Sequence, residues 1–553
     1  MSSTAPVKRA SLVWLFGFIL LYSALVIPRI FTESPTNDEP IDITNGYFYW
    51  QGDVVSHHRH PPLSELLQAL PLRLLPLNTQ VGPLTPDFLA RAYNFFFILN
   101  RDRFELMTQL ARFMTLLMGI GIGCLLFFLT RKGPRPILLM TMVLWAFESN
   151  LLAFSGLAVA DVPVAFFFLA AVLAFQKHLE NPGRKWALIA GGLAGMAVTC
   201  KFSALVLIPI FAILEWREFR RVKNLTKAFP QKAADWAWGT VVFLTWICVL
   251  YLPGTLLLAD HRAPWSYFLQ GLLDMMNYSN AHHPSFFLGV ASRQNHWLYY
   301  PAAFILKSAI PFLILVTLGV LGGAKRKTHI PGWVWVPALL GFLVIIPVQN
   351  LGIRYLLPVY PFLILIASQA AGELWKRKFS RGTKIGKLLV IGLGLWQATS
   401  VLMNYPYMIS YFNDLVSRNE KIYDLGDSNL DLSQDLKRLG QTGAERGWKR
   451  VKLAQYGLID PAFYGLRWEP WTEKDLKGPQ PGFVYAVNAS FLQLAPVFYP
   501  NLIPIASGWL TNMPPTGRVG DTWLYFEIPG DPLPDSSQPL PSVQTLKNHA
   551  PKN

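Results

Sequence analysis

Charge is scarce in this chain. Of 553 residues only 15% are Asp, Glu, Lys or Arg, against 52% hydrophobic and 14% aromatic. So little charge excludes the string of soluble domains that the length would otherwise suggest, and leaves a polytopic α-helical membrane protein. Cysteine is rarer still: Cys124, Cys200 and Cys248 all fall inside apolar stretches. They exclude a disulfide framework and a Cys-x-x-Cys zinc knuckle. Acid is short relative to base, 33 against 49 residues, for a net charge of +16. The basic residues sit in short clusters between apolar segments, where membrane topology places them, which argues against nucleic acid as the partner. The absence of an internal repeat counts against an inverted-repeat transporter.

What is present is a series of apolar segments near 11–30, 105–130, 137–154, 161–177, 236–257, 298–322, 331–349, 355–373 and 385–403. Each is long enough to be read as a span. The stretch 186–215 is too long for one crossing and carries Lys201 in its middle, so it reads as two short spans meeting there, for about 11 transmembrane helices. Basic clusters at 8–9, 131–135, 177–185, 217–232, 325–327 and 376–387 hold 23 Lys and Arg and almost no acid. The positive-inside rule then puts the N-terminus in the cytoplasm and everything after about 404 outside. A single span over 186–215 would expose the basic 217–232 on the wrong face. No small-x-small cleavage site follows the first apolar run, which is therefore expected to remain as an uncleaved span.

Three regions fall outside: about 31–104, about 258–297 and the tail. In the first, leucines at 63, 66, 67, 70 and 74 line one helical face, and a helix along the membrane surface is expected. In the tail, the alternating runs VKLAQY (451–456), FVYAVNAS (483–490) and WLYFEI (523–528), with a helical SQDLKRLG, predict a small extracytoplasmic α/β domain over 404–529. The Pro- and Ser-rich 530–553 is expected to be disordered.

The polar residues that stand out begin with Asp38 and Glu39, just past the first span and flanked by the aromatics of GYFYW. A carboxylate partly desolvated there can act as general base on a hydroxyl, whereas a merely solvated acid pair is the plain alternative. Asp42 and Asp53 read as solvated loop acids. His57, His58 and His60 precede a Pro-Pro pair. Adjacent extended residues point to opposite faces, so polar contacts or a structural role for His60 are favoured over a metal site. Arg112, Asp161, Lys201, Lys307 and Arg354 are charges in or near spans, and such groups are functional candidates by default, although Arg112 and Lys307 can snorkel or pair instead. Lys201 and Arg354 fall at outer span ends, on the face of Asp38. Two cations and a carboxylate at the outer interface suit a lipid-tailed anion such as a polyprenyl phosphate. Before the span at 298, Trp297, Tyr299 and Tyr300 read most simply as an interfacial aromatic belt, and Arg293 and His296 are candidates to reach the same cavity.

In order, the chain carries DEP (38–40), GYFYWQGD (46–53), RHPPL (59–63), QLAR (109–112), GLAVADVP (156–163), AGMAVTCKFSALVLIP (194–209), SRQNHWLYYPAAFILKSAIP (292–311), GIRYLLPVYPFLI (352–364), SYFNDL (410–415) and DSNLDLSQDLKRL (427–439). It resembles the polyprenyl-phosphate-dependent glycosyltransferases of the C-type fold, the family of protein O-mannosyltransferases and the lipid A aminoarabinose transferase. The resemblance implies that Asp38 activates an acceptor for inverting attack on the sugar's anomeric carbon, with Glu39 completing the motif. It implies that Asp161 positions acceptor or sugar, that Lys201 and Arg354 contact the donor phosphate, and that Arg112 pairs with Asp38 or Asp161. Tyr355 closes the Ile353-Arg354-Tyr355 triplet where the family has His-Arg-Tyr, and Cys200-Lys201-Phe202 stands where it has Thr-Lys-Tyr. Sugar identity is therefore not carried over. The implied location is a bacterial inner or plasma membrane.

The expectation is an integral-membrane glycosyltransferase moving a mannose-like hexose or a pentose from a polyprenyl-phosphate donor to a protein, lipid or glycan hydroxyl on the outer face. It requires no cofactor, since fixed cations can carry a phosphate's charge, and a divalent metal is compatible with it. The competing classes are a transporter or lipid flippase working through Asp161, Arg112 and Lys201, and a non-catalytic glycan-binding membrane protein.

Overall fold

The computed structural model describes residues 9–52, 61–80, 88–220, 225–257, 262–280, 283–324, 330–377, 385–498, 509–510 and 512–530. Asp53, His57, His58, His60 and the tail 531–553 lie outside the described residues. The helices run α1 (Arg9–Thr32), α2 (Glu39–Tyr49), α3 (Leu63–Ala69), α4 (Phe88–Tyr93), α5 (Phe104–Thr130), α6 (Arg135–Ala146), α7 (Ser149–Ser155), α8 (Asp161–Glu180), α9 (Arg184–Cys200), α10 (Leu207–Phe219), α11 (Leu225–Leu257), α12 (Pro264–Asn280), α13 (Tyr299–Lys307), α14 (Ile310–Ala324), α15 (Gly332–Ile345), α16 (Tyr360–Lys376) and α17 (Ile385–Asn404). Among the described residues five helices, α1, α5, α8, α11 and α17, are long and apolar enough to cross a membrane, and two bent pairs raise this to seven. Helices α9, α10, α15 and α16 have 17, 13, 14 and 17 residues, so length alone does not reach the expected eleven. The outward faces are greasy: Trp14, Phe16, Leu117, Val241, Leu244, Leu388 and Leu395 are all exposed. Such stripes are stable facing hydrocarbon, where the helices satisfy their own backbone groups.

One sequence expectation is corrected here. The single span over 298–322 is α13 and α14 folded back on each other by 119°. The fold-back is stable because neighbouring side chains capture the carbonyls that the break releases. Ser149 Oγ and Asn150 Nδ2 each donate to Lys307 O at 3.0 Å, and Asn413 Nδ2 donates to Ser308 O at 2.7 Å. The leucine helix near 63–74 is packed into the protein at its start, while Leu70 and Leu74 remain exposed. Leu63, Leu66, Ala69 and Leu72 are buried, and α3 packs so tightly on α2 that a Cβ at Gly46 would sit 2.1 Å from Glu65 O. The expected break at Lys201 is present: α9 ends at Cys200, Lys201 is extended (ψ 133°), and a 3-10 turn over Phe202–Val206 leads into α10.

A hairpin of β1 (Ser285–Phe287) and β2 (Val290–Ser292) precedes α13. Beyond α17 come α18 (Lys421–Asp424), α19 (Leu436–Glu445), β3 (Val451–Ala454), β4 (Trp468–Pro470), α20 (Glu473–Lys477), β5 (Val484–Asn488), α21 (Ala489–Phe498), β6 (Gly517–Val519) and β7 (Trp523–Glu527). The five strands form one mixed sheet in the order β4-β3-β5-β7-β6, with β3 parallel to β4 and β5 and the other pairs antiparallel. The period-2 alternation of the sequence is what divides its faces. Ala486, Trp523 and Tyr525 pack with α19, with Phe97 and with Phe104 at the start of α5, whereas Tyr485, Val487 and Phe526 pack under Trp471. The sheet therefore shares a core with the loop that carries Asp38's helix.

Candidate active site

Asp38 stands at the N-terminal boundary of α2, and its backbone carbonyl accepts from Ile41 N and Asp42 N. Its side chain is 40% exposed and its Oδ2 accepts from Arg354 Nη1 at 2.7 Å. Arg354 lies in a 3-10 turn, Ile353–Leu356, just before α16. Tyr355 turns its ring to Lys201, whose Nζ sits 3.7 Å from the ring centroid, while Arg354 Cζ is 5.9 Å away. Lys201 Nζ donates to Asp161 Oδ1 at 2.6 Å. Asp161 opens α8, where the helix dipole favours a carboxylate. Four residues singled out from sequence are thus joined as two ion pairs flanking one tyrosine, with Asp38 the most open of the four.

Glu39 behaves differently from its neighbour. It is fully buried, and its Oε1 accepts from Arg112 Nε and Ala158 N while its Oε2 accepts from Arg112 Nη2 and Thr36 N, all at 2.7 Å. Arg112 also donates to the carbonyls of Ile30, Glu33 and Ser34. The expected pairing of Arg112 with Asp38 or Asp161 is corrected by this geometry: Arg112 is taken up by Glu39 and by the end of α1. The knot ties α1, α2, α5 and the loop before Asp161 at one point, which sets both acids in place without touching either.

Three further acids surround the pair. Asp42, one helical turn from Asp38, is half-buried and not a solvated loop acid; burial, then the carboxylates of Glu65 and Asp38, push it well above the usual range. Burial likewise raises buried Glu65, against a hydrogen bond from Asn45. Asp427 is raised by burial, against the pull of Arg354. Tyr456 beside them is pushed up to about 12 by burial and by the charges of Asp427 and Asp38. The i, i+4 spacing of Asp38 and Asp42 was a readable signal; nothing in the sequence linked Glu65, Asp427 or Tyr456 to Asp38.

The DSNLDLSQD stretch, to which the sequence assigned no role, bridges the two halves of the site. Asn429 Oδ1 accepts from Ile353 N at 2.9 Å and Ser428 Oγ donates to Leu351 O at 2.5 Å, bracing the turn that aims Arg354. Farther along, Asn37 N donates to Leu432 O, Ser34 N to Gln434 O, and Ser433 Oγ to Asn37 Oδ1 at 3.1 Å, bracing the approach to Asp38. Asp427 and Ser433 hold left-handed backbone, φ 55° and 72°, a conformation that non-glycine residues adopt mainly where surrounding structure enforces it.

Other sequence candidates lie apart. His296 packs its ring on Phe287 and Arg293 is exposed. Lys307 is buried and donates to Ile409 O and Asn429 O, a structural tie between the fold-back and the tail. Among the described residues no group of three or more His, Cys, Asp or Glu is arranged to hold a metal ion.

A family model described as dolichyl-phosphate-mannose-protein mannosyltransferase matches residues 44–263. That stretch holds Arg112, Asp161 and Lys201 and leaves out Asp38, Glu39 and Arg354. The resemblance read from the motifs is thus found by the family model as well. Among solved structures the chain is similar to ArnT from Cupriavidus metallidurans in the apo state, at 12% identity, covering 94% of this chain and 98% of that one with a TM-score of 0.47. It is also similar to the Archaeoglobus fulgidus oligosaccharyltransferase tethered with an acceptor peptide (12% identity, 90% and 72% covered, TM-score 0.45). A third is the S. cerevisiae protein O-mannosyltransferase Pmt1-Pmt2 complex bound to the sugar donor (19% identity, 49% and 35% covered, TM-score 0.33). No curated protein matches the chain at the sequence level.

Proposed function

We propose that this protein is an integral-membrane glycosyltransferase that moves a sugar from a polyprenyl-phosphate donor to an acceptor hydroxyl on the extracytoplasmic face. The observation that carries the reading is the Asp38–Arg354 pair set beside Asp161–Lys201, a half-exposed carboxylate within 2.7 Å of one of two cations that face the same tyrosine. Lys201 and Arg354 hold the donor phosphate, to which the charge of the leaving group passes. As phosphate draws Arg354, Asp38 is released to act as base. It takes the acceptor's hydroxyl proton as the acceptor oxygen bonds to the anomeric carbon from the face opposite the phosphate. The carbon–oxygen bond to phosphate breaks, its electron pair leaves with the polyprenyl phosphate, and the sugar is inverted. Asp161 holds Lys201 and faces the same space, which suits a positioning role. No step passes through a metal. Hexose and pentose donors, and protein, lipid and glycan acceptors, all fit this chemistry, in a bacterial inner membrane with the N-terminus cytoplasmic.

The test is transfer by the purified full-length chain from radiolabelled polyprenyl-phosphate sugars. Release or transfer of sugar is expected, and its absence with every hexose and pentose donor overturns the reading. Lys201→Ala is expected to weaken donor binding about tenfold to a hundredfold; unchanged affinity would remove Lys201 from the phosphate site.

A further inference from the structure

Between α15 and the turn that carries Arg354 lie Gln349 and Asn350, each 1% exposed. All four of their side-chain polar atoms, Gln349 Oε1 and Nε2 and Asn350 Oδ1 and Nδ2, are buried without a hydrogen-bond partner. Other buried amides keep at least one bond: Gln68, Gln397 and Gln493 each have a bonded Nε2. Among the described residues only Gln349 and Asn350 are buried amides with both ends unpaired. Burying such groups unsatisfied is costly, so most proteins pair them.

The surrounding backbone has no freedom to relieve this. Tyr300 Oη donates to Gln349 O at 2.5 Å and Leu351 N to the same oxygen at 2.9 Å. Ser428 and Asn429 hold Leu351 O and Ile353 N. Gly352 sits at φ +100°, where a Cβ would fall 1.9 Å from Ser428 Oγ. Two unpaired carboxamides therefore sit on a braced backbone segment that delivers Arg354.

Resting on the function proposed above, we infer that Gln349 and Asn350 are the subsite that reads the hydroxyls of the donor sugar. A carboxamide both donates and accepts, as a sugar hydroxyl does, and two adjacent amides match a pair of neighbouring hydroxyls. The donor is favoured over the acceptor because its sugar is bonded directly to the phosphate that Arg354 holds. A site built to hydrogen-bond hydroxyls discriminates strongly against a ligand that lacks them, since its own buried groups are then left unpaired.

The test compares full-length protein with the Gln349→Met/Asn350→Leu double variant. The probes are undecaprenyl phosphate alone and undecaprenyl phosphate bearing one of a panel of hexoses and pentoses. The sugar-free lipid is expected to bind both proteins alike, while the variant loses about tenfold or more for the preferred sugar-bearing donor. Equal affinities for every donor in both proteins overturn the inference. So does a parallel loss for sugar-free and sugar-bearing lipid, which marks a purely structural role acting through Arg354. Failure of the wild type to bind either lipid sinks the glycosyltransferase reading first, and this outcome is distinct from the other two. Should the double variant not fold, Asn350→Ser is expected to reorder the preference among epimeric sugars with sugar-free binding intact, and an unchanged order overturns the inference.

Discussion

Asp38 and Glu39 are consecutive acids with opposite surroundings. Glu39 is sealed, its two oxygens taking four hydrogen bonds at 2.7 Å, two of them from Arg112. Asp38 is 40% exposed, and its Oδ2 accepts from Arg354 Nη1 at 2.7 Å. A saturated buried pair has nothing left to offer a reactant, while an open one can exchange its partner. The difference teaches that on the proposed reading stability and chemistry are divided between neighbours, the knot around Glu39 fixing the frame on which Asp38 stays exposed.

Asp38→Asn probes the open side and carries the largest expected effect: a loss of sugar transfer of about 10²–10⁴-fold with an unchanged melting temperature. Near-normal transfer in that variant would end the comparison. On the closed side, Arg112→Met leaves Glu39 buried without its cation, and a destabilisation of about 3–5 kcal/mol is expected in detergent melts. If Arg112→Met instead left stability intact and abolished only turnover, Glu39 would belong with Asp38.

The bridging segment sharpens the contrast through pH. Asp431 accepts from Ser433 N and Ser490 N, yet burial pushes it up to about 6 from an ordinary 3.8. For an acid raised on folding, the stabilising contribution is full below about pH 4 and is lost as pH rises through about 6, by roughly 2–3 kcal/mol at most. The stability difference between wild type and Asp431→Asn, followed by melts across that window, should therefore fall in the wild type's disfavour with rising pH; a flat difference would show that Asp431 is not held this way. The smallest effect belongs to Lys437, whose pair with Glu105 at 2.8 Å is part-exposed. Lys437→Ala is expected to change stability by less than about 1 kcal/mol and transfer hardly at all. A larger loss of transfer would mean that contacts between the tail and the first outer region bear on the site beyond the 427–435 bridge.

Much of this was legible in the residues. Asp38, Asp161, Lys201 and Arg354 were candidates because charge in an apolar chain is conspicuous, and the break at Lys201 was readable from a charge interrupting an over-long apolar run. The tail runs at 451–456, 483–490 and 523–528 contain strands β3, β5 and β7, since alternation marks a sheet with two packed faces. The fold-back at Ser308 was not legible, because the groups that stabilise it, Ser149, Asn150 and Asn413, are more than a hundred residues away in sequence. Nor was the partner of Arg112, since spacing does not say which of several acids a cation meets.

What the sequence determined by itself is the solvent and the inventory: long apolar runs must face hydrocarbon, and the few charges among them must be paired or used. What only the tertiary structure decided is who pairs with whom. Asp38 meets Arg354 across 316 residues, Glu39 meets Arg112 across 73, and Asn429 reaches back to brace the turn that aims Arg354. Such contacts follow from packing, where the cost of a buried unpaired charge selects one arrangement among many that the residue list alone permits.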